Sequence, residues 1–273
     1  MTLAAFVQEA TAALHLGVFV RAFEVLLGWS LLLQTLEQWR IQGLDRVSDW
    51  SVQRKEIPAQ PPGLRALTDA LFARPGPYLG LLGLRGALAL LLMAGLLPTA
   101  GVVALCAIAM LLLLRWRGAF NGGSDFMTLV GLTGLLIAHA VGSWAGMVAG
   151  WRAGLWYVAL HATTSYFISG WVKFLRPEWR SGEALPLFLD TGVYGPLAPD
   201  SVLRRPAVAR LASWSFTLWE GCAPLMLLDL RIAALFCTVA AVFHFLVFWF
   251  FGLNRFFWAW LVTFPALMYA AAR

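Results

Sequence analysis

Charge is what this sequence has least of. Asp, Glu, Lys and Arg make up 12% of its 273 residues, about half the ~25% that a soluble domain uses to wet its surface. That shortage excludes a disordered chain, a coiled coil and a nucleic-acid-binding domain, all of which depend on dense charge. Cysteine is scarce too: Cys106, Cys222 and Cys237 are the only three, each inside an apolar run and without CxxC spacing. A secreted disulfide scaffold is therefore excluded, no metal site is expected, and the three read as small buried core residues. Lysine is rarer still. Lys55 and Lys173 stand against 18 arginines, a bias that, with abundant Ala, Leu and Gly, points to a high-GC bacterial genome.

What is abundant is apolar. Hydrophobic residues are 60% of the chain and mean hydropathy is +0.75. A helix that crosses a membrane needs about 20 mainly apolar residues. Eight segments meet that measure, at about 17–36, 77–97, 98–114, 125–148, 153–174, 210–228, 231–251 and 254–271. The expected fold class is all-α, a polytopic membrane helix bundle forming one domain over residues 1–273, with lipids as its surroundings and no nucleic acid as partner. The inner (plasma) membrane of a bacterium is the expected location.

The first 16 residues carry Leu3, Phe6, Val7, Ala10 and Leu14 at helical spacing, which predicts a short interfacial helix before the first span. They lack the basic start and small-residue cleavage site of a signal peptide. Two long loops are expected, 37–76 and 175–209. The first should hold an amphipathic helix at 63–73. The second carries five prolines, too many for one helix, and its apolar stretch Ala184–Leu189 is expected to dip into the membrane. Loops 37–76, 115–124, 175–210 and 252–256 share one side and hold 14 Lys/Arg against four on the other, which places them in the cytoplasm. The net charge of +6 reflects these basic loops.

An ionisable side chain within hydrocarbon costs several kcal/mol unless it is paired, so each is a site hypothesis. The candidates are Glu24, Arg85, Asp125, His139, His161, Lys173, Glu220 and His244. Several have plain readings. Arg85 can snorkel to the interface, Asp125 can begin a helix, His139 can be a satisfied structural histidine, and Glu24 can pair with Arg21 three residues earlier. The fifth span is different. His161, Ser165, Ser169 and Lys173 recur every four residues, with Thr164, Tyr166 and Gly170 between them, and such a stripe should face the bundle interior. The plain alternative is a hydrogen-bonded seam between helices with Lys173 at the interface. Glu220 and His244, both mid-span, are the natural partners of Lys173. Desolvation lowers a lysine's pKa towards the range of a general base, and a nearby carboxylate opposes that shift.

The run Tyr166-Phe167-Ile168-Ser169-Gly170-Trp171-Val172-Lys173, followed by Trp179 and Gly182, resembles the Y-F-x-x-G-x-x-K…W-x-x-G signature of vitamin K-dependent gamma-carboxylases. Their short bacterial relatives, the HTTM (horizontally transferred transmembrane) proteins, share it. Trp116–Thr128, Trp219-Glu220-Gly221 through Leu225, and Phe243-His244 with Gly252, Leu253 and Phe256 resemble three further family segments in order. The resemblance implies that Lys173 is a base acting on reduced vitamin K or another quinol-like lipid. Glu220 and His244 would join it as candidate catalytic residues, and Asn121, His161, Ser165, Ser169 and Tyr166 would bind the cofactor. Two departures are plain: Asn121 is followed by Gly122 where the carboxylases have histidine, and the carboxylases' large extra-membrane domain has no counterpart here. The family's active site faces the lumen, whereas the count of basic residues puts the Lys173 end in the cytoplasm.

Three functions are thus expected in order. The first is a membrane enzyme of carboxylase or epoxidase type with a small-molecule, peptide or protein co-substrate. The second is a non-catalytic subunit or maturation factor that holds a partner. The third, a transporter with Glu220 and Lys173 as charge relay, lacks the internal repeats such proteins show.

Overall fold

Helices account for most of the described residues, because few segments carry the alternation that strands need. The computed structural model describes residues 3–44, 49–57, 60–116 and 122–272, and among them there is no strand. The helices in order are α1 Leu3–Gln42, α2 Trp50–Gln53, α3 Pro62–Phe72, α4 Pro75–Ala94, α5 Thr99–Arg115, α6 Gly123–Ala145, α7 Met147–Leu175, α8 Pro177–Ser181, α9 Ala184–Leu189, α10 Pro206–Gly221, α11 Leu230–Phe251, α12 Asn254–Leu261 and α13 Phe264–Ala271. The chain folds as two compact units, Met1–Leu155 with Trp258–Pro265, and Trp156–Phe257 with Ala266–Arg273.

Among the described residues, four helices are long and apolar enough to cross a membrane: Leu16–Gln42 of α1, α4, α6 and α11. The other expected spans depart from that measure for identifiable reasons. α5 has 17 residues. α7 has 29, enough length, but its polar stripe lowers its apolar content. The segment 210–228 stays α-helical only to Gly221 and continues as a 3-10 turn over Ala223–Leu228. Pro224 has no N–H to donate to the carbonyl four residues back, at Glu220. Pro265 does the same to Leu261, and the segment 254–271 becomes two eight-residue helices, each about 12 Å long. The N-terminal interfacial helix and first span are also one continuous helix of 40 residues, since no proline occurs before Pro58.

In the first unit α1 packs along α4. Phe23, Leu27 and Leu31 of α1 are buried, as are Tyr78, Leu82, Ala89 and Leu92 of α4, two stripes at three- and four-residue spacing. Arg85 does not snorkel. It is buried mid-helix, donating to Gln34 Oε1 (2.9 Å) and Gln38 Oε1 (3.2 Å) of α1. Gln34 passes its own donors to Ser30 and to Thr128 of α6. A guanidinium with neutral amide acceptors within reach has less reason to stretch to the surface. The other plain readings of ionisable residues hold: Glu24 pairs with Arg21, His139 Nδ1 lies 3.1 Å from Thr99 Oγ1, and Asp125 sits in the first turn of α6.

The long loop 37–76 is pinned by Arg115 at the end of α5. Its buried guanidinium lies 4.0 Å from the Tyr78 ring centre and 5.2–5.8 Å from those of Phe72, Trp116 and Trp50. It donates to the Phe72 carbonyl and to Gln42 Oε1. Asp49 caps α2, and the bond from Ser51 holds its carboxyl below the usual range. The three thiols are free. Cys237 is buried and Cys106 half-buried, but Cys222 is exposed, contrary to its expected core position. It follows Gly221 as the residue that caps the end of α10.

Candidate functional site

The expected site residues that the structure brings together lie in the second unit. Along α7 the buried stripe is Val158, Ala159, Ala162, Tyr166 and Gly170. The polar stripe His161–Ser165–Ser169–Lys173 runs along its half-buried flank, while Phe167, Ile168, Trp171 and Val172 are exposed.

Two glycines set the site's geometry. A Cβ on Gly170 would stand 2.3 Å from the Gly221 amide nitrogen, so α7 and α10 touch backbone to backbone there. Gly182 follows α8 with φ +91°, and a Cβ on it would stand 2.5 Å from the Arg210 amide nitrogen. Both positions demand glycine, one for space and one for space and conformation. Together they seat α7 and α8 on α10.

That crossing carries Glu220 to Lys173. The ammonium Nζ donates to Glu220 Oε2 at 2.5 Å and to Ser169 Oγ, one turn back on α7, at 2.7 Å. The Trp179 ring on α8 lies 5.3 Å from the same Nζ. Glu220 is 4% exposed and Lys173 17%, so the carboxylate is sealed while the lysine side chain is partly exposed. Charge-assisted bonds of this kind are about twice as strong as neutral ones. They also hold Lys173 in one rotamer that a ligand can meet.

A second pair stands behind the first. Tyr166, one turn before Gly170, is buried with its hydroxyl 2.6 Å from His244 Nε2. His244 is buried on α11, and Phe243 and Phe256 pack against its ring. Trp219, next to Glu220, packs edge-on to Tyr166 at 5.5 Å and stacks on Phe236 at 4.9 Å. The hydroxyl–imidazole pair therefore sits in an aromatic box that ties α7 to α11 and braces the turn bearing Glu220.

The expected site residues divide accordingly. Lys173, Ser169 and Glu220 form one cluster, and Tyr166 with His244 forms another. His161 and Ser165 have neighbours on their own helix: the His161 ring lies 4.5 Å from Tyr157, and Ser165 Oγ bonds the His161 carbonyl. Lys173 lies eight and twelve residues further along, some ~12 and ~18 Å away. Asn121 lies outside the described residues. Trp179 and Trp219 both stand in the motif segments without an assigned role. The motifs mark both positions, but no spacing in the sequence reveals that Trp219 packs on Tyr166 and Phe236.

Among the described residues no group of three His, Cys, Asp or Glu side chains could hold a metal ion. Fold and site together define an all-helical chain with four membrane-length apolar helices and a lysine–carboxylate–hydroxyl cluster at a close helix crossing. Comparison of the chain with protein-family models, with curated proteins and with solved structures returns no match.

Proposed function

We propose that this chain is a multi-pass membrane enzyme of the vitamin K-dependent carboxylase-like kind, with Lys173 as the proton-accepting group and a quinol-like lipid as its cofactor. The observation that carries the reading is the Lys173–Ser169–Glu220 cluster, in which Glu220 is sealed and the Lys173 side chain is partly exposed. Eight crossings of a bacterial inner membrane belong to the same reading. Loop contacts support it: Arg115 at the end of α5 bonds Phe72 and Gln42 of loop 37–76, and Val193 of loop 175–209 bonds Phe250 at the end of α11. Both contacts join loops that the count of basic residues assigns to one side.

The donor set suits a quinol. Lys173 Nζ and Ser169 Oγ can meet a phenolic oxygen, and Glu220 can accept a proton or hydrogen bond beside it. Trp179, together with the stacked rings of Phe167, Trp171 and Phe174, offers flat apolar surface for a ring and tail. When bound, a quinol supplies an acidic hydroxyl and an oxidisable ring. With the proton of the ion pair first passed to Glu220, the neutral Lys173 would take the quinol proton at Nζ. Glu220 would hold the ammonium that results, in surroundings dry enough to strengthen the bond. Ser169 would hold Nζ, and the Tyr166–His244 box would keep Trp219 and Glu220 in place.

One observation favours a second reading. Lys173 already has an ion-pair partner at 2.5 Å, as a structural seam in a non-catalytic subunit would. Mass spectrometry of an organic extract of the purified protein separates the two. A quinone-class lipid in near-equal amount to protein is expected, and its loss in Glu220→Gln at unchanged expression would tie it to the cluster. An extract holding bulk phospholipid alone favours the subunit.

A further inference from the structure

Loop 175–209 contains an apolar segment that the proposed chemistry does not use. From Ala184 to Tyr194 its only charged residue is Asp190, and that carboxylate is withdrawn. It accepts from the Leu197 amide at 2.9 Å and from Arg204 Nη2 at 2.7 Å. Only Leu185 of α9 is buried. Leu187, Phe188, Val193 and Tyr194 are 67%, 50%, 60% and 70% exposed.

In water that arrangement is unfavourable, because each large apolar side chain gains about 1.5–3 kcal/mol on full burial. The same segment is strapped to the end of a membrane-length helix. The Val193 amide donates to the Phe250 carbonyl at 2.8 Å, Phe188 meets Phe251 with ring centres 4.7 Å apart, and Tyr194 faces Trp249 at 6.3 Å. α11 has 22 residues, close to the ~20 that cross the hydrocarbon core, so its end marks the bilayer boundary. Tyr and Trp gather at that depth, where an apolar ring and a polar edge are both satisfied.

We infer that the segment from α9 to Tyr194 lies in the membrane–water interface, with Leu187, Phe188, Val193 and Tyr194 seated among lipid glycerol groups and upper acyl chains. Its partner is the bilayer that holds α11. The segment packs parallel to the surface through α9 and does not cross, because the chain turns back through three consecutive bonds, from the Asp190, Thr191 and Gly192 amides to the Pro186, Phe188 and Leu189 carbonyls. Trp179, over Lys173, precedes α9 by five residues, so this placement puts Lys173 near headgroup depth. The inference holds whatever Lys173 does.

Photo-crosslinking in native membranes tests it. The photoreactive residue p-benzoylphenylalanine is placed at Leu187 or Tyr194, both exposed, with exposed Asp200 as the control. After illumination the intact chain is weighed. The expected result is a one-phospholipid adduct at Leu187 and at Tyr194, attached by fragmentation to the glycerol or upper acyl region, and none at Asp200. A crosslink to another polypeptide, including a second copy, would overturn the inference, as would adducts confined to acyl-chain ends or no lipid adduct at either position.

Discussion

Replacing Gly170 with alanine would place a methyl group 2.3 Å from the Gly221 nitrogen, 2.8 Å from its Cα and 2.9 Å from the Glu220 carbonyl carbon. All three are backbone atoms, so no side chain can swing aside. Non-bonded heavy atoms rest about 3.5–4.0 Å apart, and relief therefore requires α7 and α10 to separate by roughly 1 Å. Overpacking of this kind costs about 1–3 kcal/mol. The separation would also stretch the 2.5 Å Lys173–Glu220 contact past hydrogen-bonding reach. Unfolding in mixed micelles with rising dodecyl sulfate measures the cost. Gly83→Ala is the control, since a Cβ there meets nothing within 4 Å. It should stabilise α4 by up to ~1 kcal/mol through helix propensity. If Gly170→Ala unfolds with or after the wild type while Gly83→Ala behaves as stated, the crossing is not the close contact described.

Other outcomes follow from the same structure. Lys173→Met should destabilise by about 3–5 kcal/mol because it strands the Glu220 carboxylate, and adding Glu220→Leu should recover much of the loss; the two changes would be non-additive in the same micelle titration. Arg115→Ala should cost ~2 kcal/mol or more, since it removes a desolvated cation–π site, and limited proteolysis should then cut loop 37–76 faster than in wild type. Alkylation of the denatured chain without reductant should modify Cys106, Cys222 and Cys237 alike, with no band shift on a non-reducing gel.

The helical class and the four membrane-length helices were legible because lipid-facing runs leave a one-dimensional signal: long, apolar and poor in charge. α3 and the apolar stretch of α9 were likewise visible from periodicity and proline placement. Helix continuity was not, because Pro224 and Pro265 act through the carbonyl four residues back, and a hydropathy window does not register that. Lys173, Ser169 and Glu220 could be chosen as a cluster because charge inside an apolar run is costly and must be paired. Arg85 departs from its expected snorkelling for the opposite reason: its acceptors are side-chain amides of a distant helix. The burial of Arg115 is likewise not legible, because its aromatic neighbours come from four different segments. Tyr166 and His244 were both selected, but their bond depends on how α7 faces α11, which no spacing in either helix reveals.

Lys173→Arg is the most direct test of a base at this site. Arginine keeps the positive charge and can keep Glu220 as partner, but it does not give up its proton in proteins. Wild type and variant are reconstituted in lipid nanodiscs with a reduced naphthoquinone under air, with and without carbonate, and loss of the quinol is followed above the protein-free rate. Expression and unfolding of the variant should stay within about 1 kcal/mol of wild type. The enzyme account predicts turnover by the wild type that falls roughly 10²–10⁴-fold in the arginine variant, the contribution of a positioned general base. An arginine variant that retains most of the wild-type rate, or a wild type no faster than empty nanodiscs, would contradict it and leave Lys173 as the structural half of an ion pair.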